Sequence, residues 1–117
     1  MKLNLTTWQR LQLLMLMNSV QGDLRTINKA LKLIDLLEMG EDEQEEVSLR
    51  STPTGFTWDD PNKRWDIEVK DRNLVTFLKQ KVELKQDWPA VSGREVLDLC
   101  EQLNIKLEDE GDKDDES

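Results

Sequence analysis

Apolar residues recur along this chain at two different periods. Between Trp8 and Met17, the residues Leu11, Leu13, Leu14, Met15, Leu16 and Met17 cover more than one face of a helix. A helix of that kind is buried on several sides or covered by a partner. Thr6, with Gln9 three residues on, forms a capping box that predicts where this helix starts. Asn18-Ser-Val-Gln-Gly22 then breaks it, and Asp23 is placed to cap a second helix over about residues 23–39. Leu24, Ile27, Leu31, Ile34 and Leu37 or Glu38 follow the spacing of one apolar stripe, flanked by Leu33 and Leu36. Arg25, Lys29, Lys32 and Asp35 lie outside that stripe, and Gly40 is placed to end the helix in the left-handed conformation.

Beyond the acidic run Glu41–Glu46 the period falls to two. Val47-Ser-Leu49, Phe56-Thr-Trp58 and Trp65-Asp-Ile-Glu-Val69 alternate, and the turn-forming runs Ser51–Gly55 and Asp59–Lys63 separate them. β-Branched and aromatic residues at every second position between such turns predict strands joined by a hairpin. Phe56 and Trp58 then face the same side as Trp65, Ile67 and Val69, and that face needs a cover because a lone hairpin is marginal in water.

Helical spacing returns after Asp71. Leu74, Phe77, Leu78, Lys81 and Val82 predict a helix over about residues 72–85, interrupted by Trp88-Pro89. Ser92 and Glu95 read as a second capping box, followed by a stripe of Val96, Leu99, Cys100 and Leu103, with Asn104 at its end. The expectation is one α+β domain over residues 1–107, with about four helices and a small antiparallel hairpin inserted between the second and third. The chain's 117 residues suit a single domain.

Charge qualifies this picture mainly at one end. The formal net charge is −9, and residues 108–117, with seven acids and one lysine, supply −6 of it. A stretch without apolar residues cannot offset its ordering entropy, so 108–117 is expected to be a disordered acidic tail. A solubilising role is favoured there over an arm that meets a basic partner. No apolar run approaches the length of a membrane-spanning helix, and no signal-peptide layout opens the chain. The expected location is therefore the cytoplasm.

At this point the order of segments resembles a group of small phage and prophage proteins. The opening Leu5-Thr-Thr-Trp-Gln-Arg-Leu11-Gln-Leu-Leu is similar to their "Leu-Thr-x-x-Glu-Arg-Leu-x-Leu-Leu" start, with Gln9 standing where an acid is common. Thr26–Ile34, the acidic block, the segment ending in Trp58, the strand Trp65–Val69 and two closing amphipathic helices follow in the same order, over about residues 3–105. The resemblance implies a bacteriophage or prophage origin and hence the cytoplasm of a host cell. It brings no activity with it.

The sequence contains no histidine, which removes Ser-His-Asp and Cys-His catalysis and the usual proton shuttle. Its five scattered glycines build no phosphate-binding loop. The single cysteine, Cys100, lies on an apolar stripe and reads as a buried small hydrophobe rather than a nucleophile. Asp59, Asp60 and Asp66 could in principle offer oxygens to a hard cation, but Asp and Asn are also what a turn selects for its own hydrogen bonds. No catalytic residue, metal site or cofactor is expected.

Four tryptophans are many for this length. Trp58 and Trp65 suit packing across the hairpin, whereas Trp8 and Trp88, near element ends, are the first choices for anchors on a partner. The acidic block Glu41–Glu46 reads first as a solvated turn of helix, and its residues Glu41, Asp42, Glu43, Glu45 and Glu46 are the other candidate docking groups. Basic residues at Arg25, Lys29 and Lys32, and again at Lys63, Arg64, Lys70 and Arg72, allow a winged-helix-like regulator, but the neighbouring acidic block opposes phosphate binding. The leading expectation is a non-catalytic phage accessory protein that binds another protein. An acidic mimic of nucleic acid that inhibits a host enzyme is the alternative, and DNA binding ranks below it. The apolar circumference of the first helix suggests self-association, for which a symmetric dimer is the commonest outcome.

Overall fold

The computed structural model describes residues 1–107, so the expected acidic tail lies outside the described residues. The first element was not foreseen. Lys2–Thr6 is a strand, β1, in which Leu3 and Leu5 are fully buried while Lys2 and Asn4 face solvent. Thr6 ends the strand and caps α1, Thr7–Asn18, through the expected capping box. The Gln9 amide N–H reaches Thr6 Oγ1 at 3.1 Å, and the Thr6 N–H donates to Gln9 Oε1 at 2.8 Å.

The remaining elements are α2 (Leu24–Leu37), α3 (Glu41–Glu46), the strands β2 (Arg50–Thr52), β3 (Gly55–Thr57) and β4 (Arg64–Glu68), then α4 (Arg72–Leu84) and α5 (Gly93–Gln102). A single 3₁₀ turn at Ala90–Ser92 leads into α5. The described residues thus hold five α-helices, one of them a short extra helix built from the acidic block, and two separate two-stranded antiparallel sheets.

The strand pairing differs from the expected hairpin. β4 does not pair with the Phe56–Trp58 segment but with β1, in the register Leu3↔Ile67 and Leu5↔Trp65. The reason is burial. Trp65, Ile67 and Val69 are all buried, and β1 offers a matching face on which every inward residue is leucine. β3 instead turns back locally on β2 through Pro53-Thr54, with Thr52 opposite Gly55. Ser51 and Thr52, read as turn residues, are therefore strand.

The main core lies between this β1–β4 ribbon and the helices. Leu3, Leu5, Leu13, Leu33, Leu78 and Leu99 are among its buried members. Helix α1 runs through the middle and touches β1, β4, α2, α4 and α5. Much of its broad apolar circumference is thus covered by its own chain, Leu11, Leu13 and Met17 being buried, while Met15 stays 52% exposed. A smaller cluster of Leu11, Met39, Val47 and Trp65, with Leu49 and Trp58 against it, seats α3 and the β2–β3 hairpin. Trp58 and Trp65 share this cluster without pairing across strands.

Three local expectations are corrected. On α2 the buried residues are Ala30, Leu33 and Leu37, so Leu33, assigned to the flank, is core, while Leu24 and Leu31 of the expected stripe are exposed. Gly40 is not left-handed but begins α3 at φ −70°. Arg10 does the capping instead, donating from Nε to the Leu37 carbonyl at 2.7 Å and from Nη2 to the Glu38 carbonyl at 2.8 Å. Ser92 makes no side-chain cap on α5, because the 3₁₀ turn enters the helix directly. At the other end, Asn104 does adopt the left-handed conformation, φ 59°.

Candidate partner-binding surface

The residues singled out from sequence do not form one site. Trp8 and Trp88 are half-buried against the main core. The Trp88 indole N–H donates to the Val82 carbonyl at 3.3 Å, near the end of α4, and the Lys85 ammonium lies 5.0 Å from its ring centre. Both indoles are thus largely committed to the fold.

The acidic block is divided. Glu43 grips Arg10, a side chain only 2% exposed, through two hydrogen bonds of 3.0 and 3.1 Å. It also accepts the Gly40 N–H at 3.0 Å. The Arg10 guanidinium holds the Glu43 carboxyl below its ordinary value against a smaller opposing effect of burial. Glu46 pairs with Lys63. Glu41, Asp42 and Glu45 are exposed and make no ion pair among the described residues.

A second polar centre joins the two ends of the described chain. The Gln9 side-chain amide donates to the Glu95 carbonyl at 2.8 Å and to Asp98 Oδ2 at 2.9 Å. Arg64 reaches the same oxygen at 3.1 Å and Gln102 at 2.9 Å. Gln102 also accepts the Asn4 N–H and donates to the Asn4 carbonyl, closing the exposed edge of β1. Burial raises the Asp98 carboxyl, but the hydrogen bonds from Gln9, Gln102 and Arg64 outweigh it and hold the group below its ordinary value.

These contacts also bear on the basic patches. Arg64 is tied to Asn4 and Asp98, and Lys63 pairs with Glu46 and lies over the Trp65 ring at 4.7 Å. Two cations of the second basic patch, Lys63 and Arg64, are therefore already engaged with side chains of the same chain. Asp66 accepts from Asn4 at 2.8 Å, and Asp59 sits 3.8 Å from Arg50. Among the described residues no three carboxylate or thiol groups gather as metal ligands. Cys100 is buried, and that burial, with the Glu83 charge adding to it, pushes its thiol up.

What the surface does present is open apolar relief. One groove, of about 650 Å³, runs along α5 past Leu97, Ile105 and Leu107, with Arg94, Glu101 and Lys106 at its sides. A second, of about 530 Å³, lies between the C-terminal ends of α1 and α4, where Met15, Leu16, Val20 and Leu84 meet Lys81 and Lys85. A third, of about 510 Å³, lies where α1, α2 and the β2–β3 hairpin converge. Its floor is the buried pair Leu11 and Met39, its walls include Leu14 and Leu49, and Phe56 stands at its rim, 44% exposed. Phe56 was expected to face inward with Trp65. It faces out because β3 pairs only with β2, and no residue of β3 is buried.

No helix among the described residues is long and apolar enough to cross a membrane. No protein-family model matches the chain, and neither a curated protein nor a solved structure matches it.

Proposed function

We propose that this chain is a non-catalytic accessory protein that acts by docking another protein. Its observed charged clusters support the reading, since Arg10–Glu43 and Gln9–Asp98 link elements of the fold through hydrogen bonds. The observation that carries it is the set of open grooves edged by exposed large apolar side chains, Met15, Phe56, Leu84 and Leu97 among them. Such side chains at a rim of polar residues are the material of an interface. The phage or prophage origin implied by the sequence resemblance belongs to the same proposal, and so does action inside a host cell.

The test is capture of a tagged intact chain from its infected or lysogenic host, beside variants carrying one aspartate in each groove: M15D, F56D and L97D. A stoichiometric partner retained by the wild type and lost by one folded variant supports docking. Purified protein that turns over a small molecule unaided sinks it.

An acidic mimic of nucleic acid is the second reading. The exposed Asp35, Glu38, Glu41, Asp42 and Glu45, free of ion pairs among the described residues, favour it. It requires binding that collapses with rising salt and is indifferent to the apolar variants.

A further inference from the structure

The third groove differs from the other two in its charge. The α5 groove mixes Arg94 and Lys106 with Asp98 and Glu101. The α1–α4 groove sets Lys81 and Lys85 against Asp87, and Lys85 already pairs with that aspartate. Among the described residues, the charged side chains lining the third groove are Asp35 and Glu38, both acidic. Both are exposed, and neither makes an ion pair.

The apolar part of this groove is also prepared for contact. Leu11 and Met39 give it a buried floor, so a side chain entering it meets packed core rather than water. Phe56 projects from a hairpin whose strands pair only with each other, so its ring is held at the rim without being consumed by the core. An exposed aromatic beside a pocket is the usual form of an interface anchor. On α2, which supplies Asp35 and is followed at its C-cap by Glu38, Leu24 and Leu31 are exposed as well.

We infer that the groove between α1, α2 and the β2–β3 hairpin docks a basic amphipathic segment of a partner protein, its apolar side chains against Leu14, Leu49 and Phe56 and its lysines or arginines against Asp35 and Glu38. This deepens the docking reading and rests on it. The chain's charge of −9 adds long-range attraction for such a segment, while the groove supplies the register.

The probe is an amphipathic leucine–lysine helical peptide, with its leucine–glutamate counterpart, titrated into the full chain at about 0.15 M salt. The lysine peptide is expected to bind saturably, and the glutamate peptide at least about tenfold more weakly. D35K/E38K should weaken the lysine peptide by about tenfold or more, beyond the loss caused by the charge-matched control E83K/E101K. F56A should weaken it several-fold, and amide shifts on binding should centre on residues 11–14, 35–39 and 49–56. Circular dichroism verifies that each exposed-site variant stays folded. Equal binding of the two peptides, equal loss in the control, or absence of saturable binding overturns the inference. So does an F56A chain that binds like wild type, since plain charge attraction would give that result. A partner captured from the host that still binds D35K/E38K would refute this groove alone and leave docking through another face standing.

Discussion

Arg10 and Glu43, thirty-three positions apart, form a two-pronged ion pair in which the arginine is buried and lies over the Trp65 ring at 5.2 Å. The same guanidinium takes the carbonyls of Leu37 and Glu38, which α2 leaves without helical partners. One side chain therefore ends α2, anchors α3 and roofs the second apolar cluster. Replacing Arg10 by alanine strands the carbonyls, while the Glu43 carboxylate, its side chain 38% exposed, is taken up by water. A loss of about 2–3 kcal/mol is expected in urea unfolding. Arg10→Lys should recover only part of it, because an ammonium cannot reproduce the planar fork.

Gln9 can serve Asp98 only as an amide. Its Nε2 donates to both Asp98 and the Glu95 carbonyl, whereas a glutamate would bring a second carboxylate to the same place. Gln9→Glu is expected to destabilise by about 1–3 kcal/mol near neutral pH. Adding Asp98→Asn should restore part of that loss, and a double-mutant cycle by chemical denaturation measures the coupling.

The carboxyls of Glu43 and Asp98 both sit below their ordinary values in the folded chain. A lowered folded pKa means that the stabilisation is complete above the unfolded value, about 4, and is lost as pH falls through the folded one. Thermal unfolding between pH 7 and pH 2 should show stability falling below about pH 4. Asp98→Asn should have a shallower acid limb than the wild type.

Cys100 is buried on the inner side of α5, with its thiol raised. It should resist a thiol-specific reagent in native buffer and react at once in denaturant. Rapid modification of the native chain would show that the thiol is reached, through the α5 groove that it lines or through opening of α5.

The two sheets should differ in protection from hydrogen exchange. β1 and β4 have core-facing residues on both strands, whereas β2 and β3 have no buried residue at all. Amides of the β2–β3 hairpin are expected to exchange through small local openings, and those of β1–β4 only through far larger ones.

The long helices were legible because their evidence is local. Thr6 with Gln9, and the spacing of Leu74, Phe77, Leu78 and Val82, carry their own instructions, and α1 and α4 lie within a residue or two of their expected bounds. Strand partnership was not legible, because the choice between Trp58 and Leu5 as neighbour of Trp65 is settled by burial across the whole chain. The signal for β1 was nevertheless present in Leu3-Asn4-Leu5, an alternation too short to stand out beside a strong helix start. On α2, periodicity gave an apolar face wider than the core uses, and sequence cannot say which edge of such a face stays open. Which docking candidates the fold itself engages was hidden for a related reason. Trp88 and Glu43 have the right chemistry for an interface, but the fold uses both. Phe56 was missed because its exposure follows from a pairing decision made elsewhere.

The clasp of Gln102 on Asn4 has a temporal side. The two residues are ninety-eight positions apart, and β1 must also wait for β4, more than sixty residues downstream. On the ribosome, α1 and α2 can coil as soon as they emerge, but the first strand has no mate until β4 has been made. Its leucines go without their partner strand for that interval, and the clasp itself closes only once the last turn of α5 has followed.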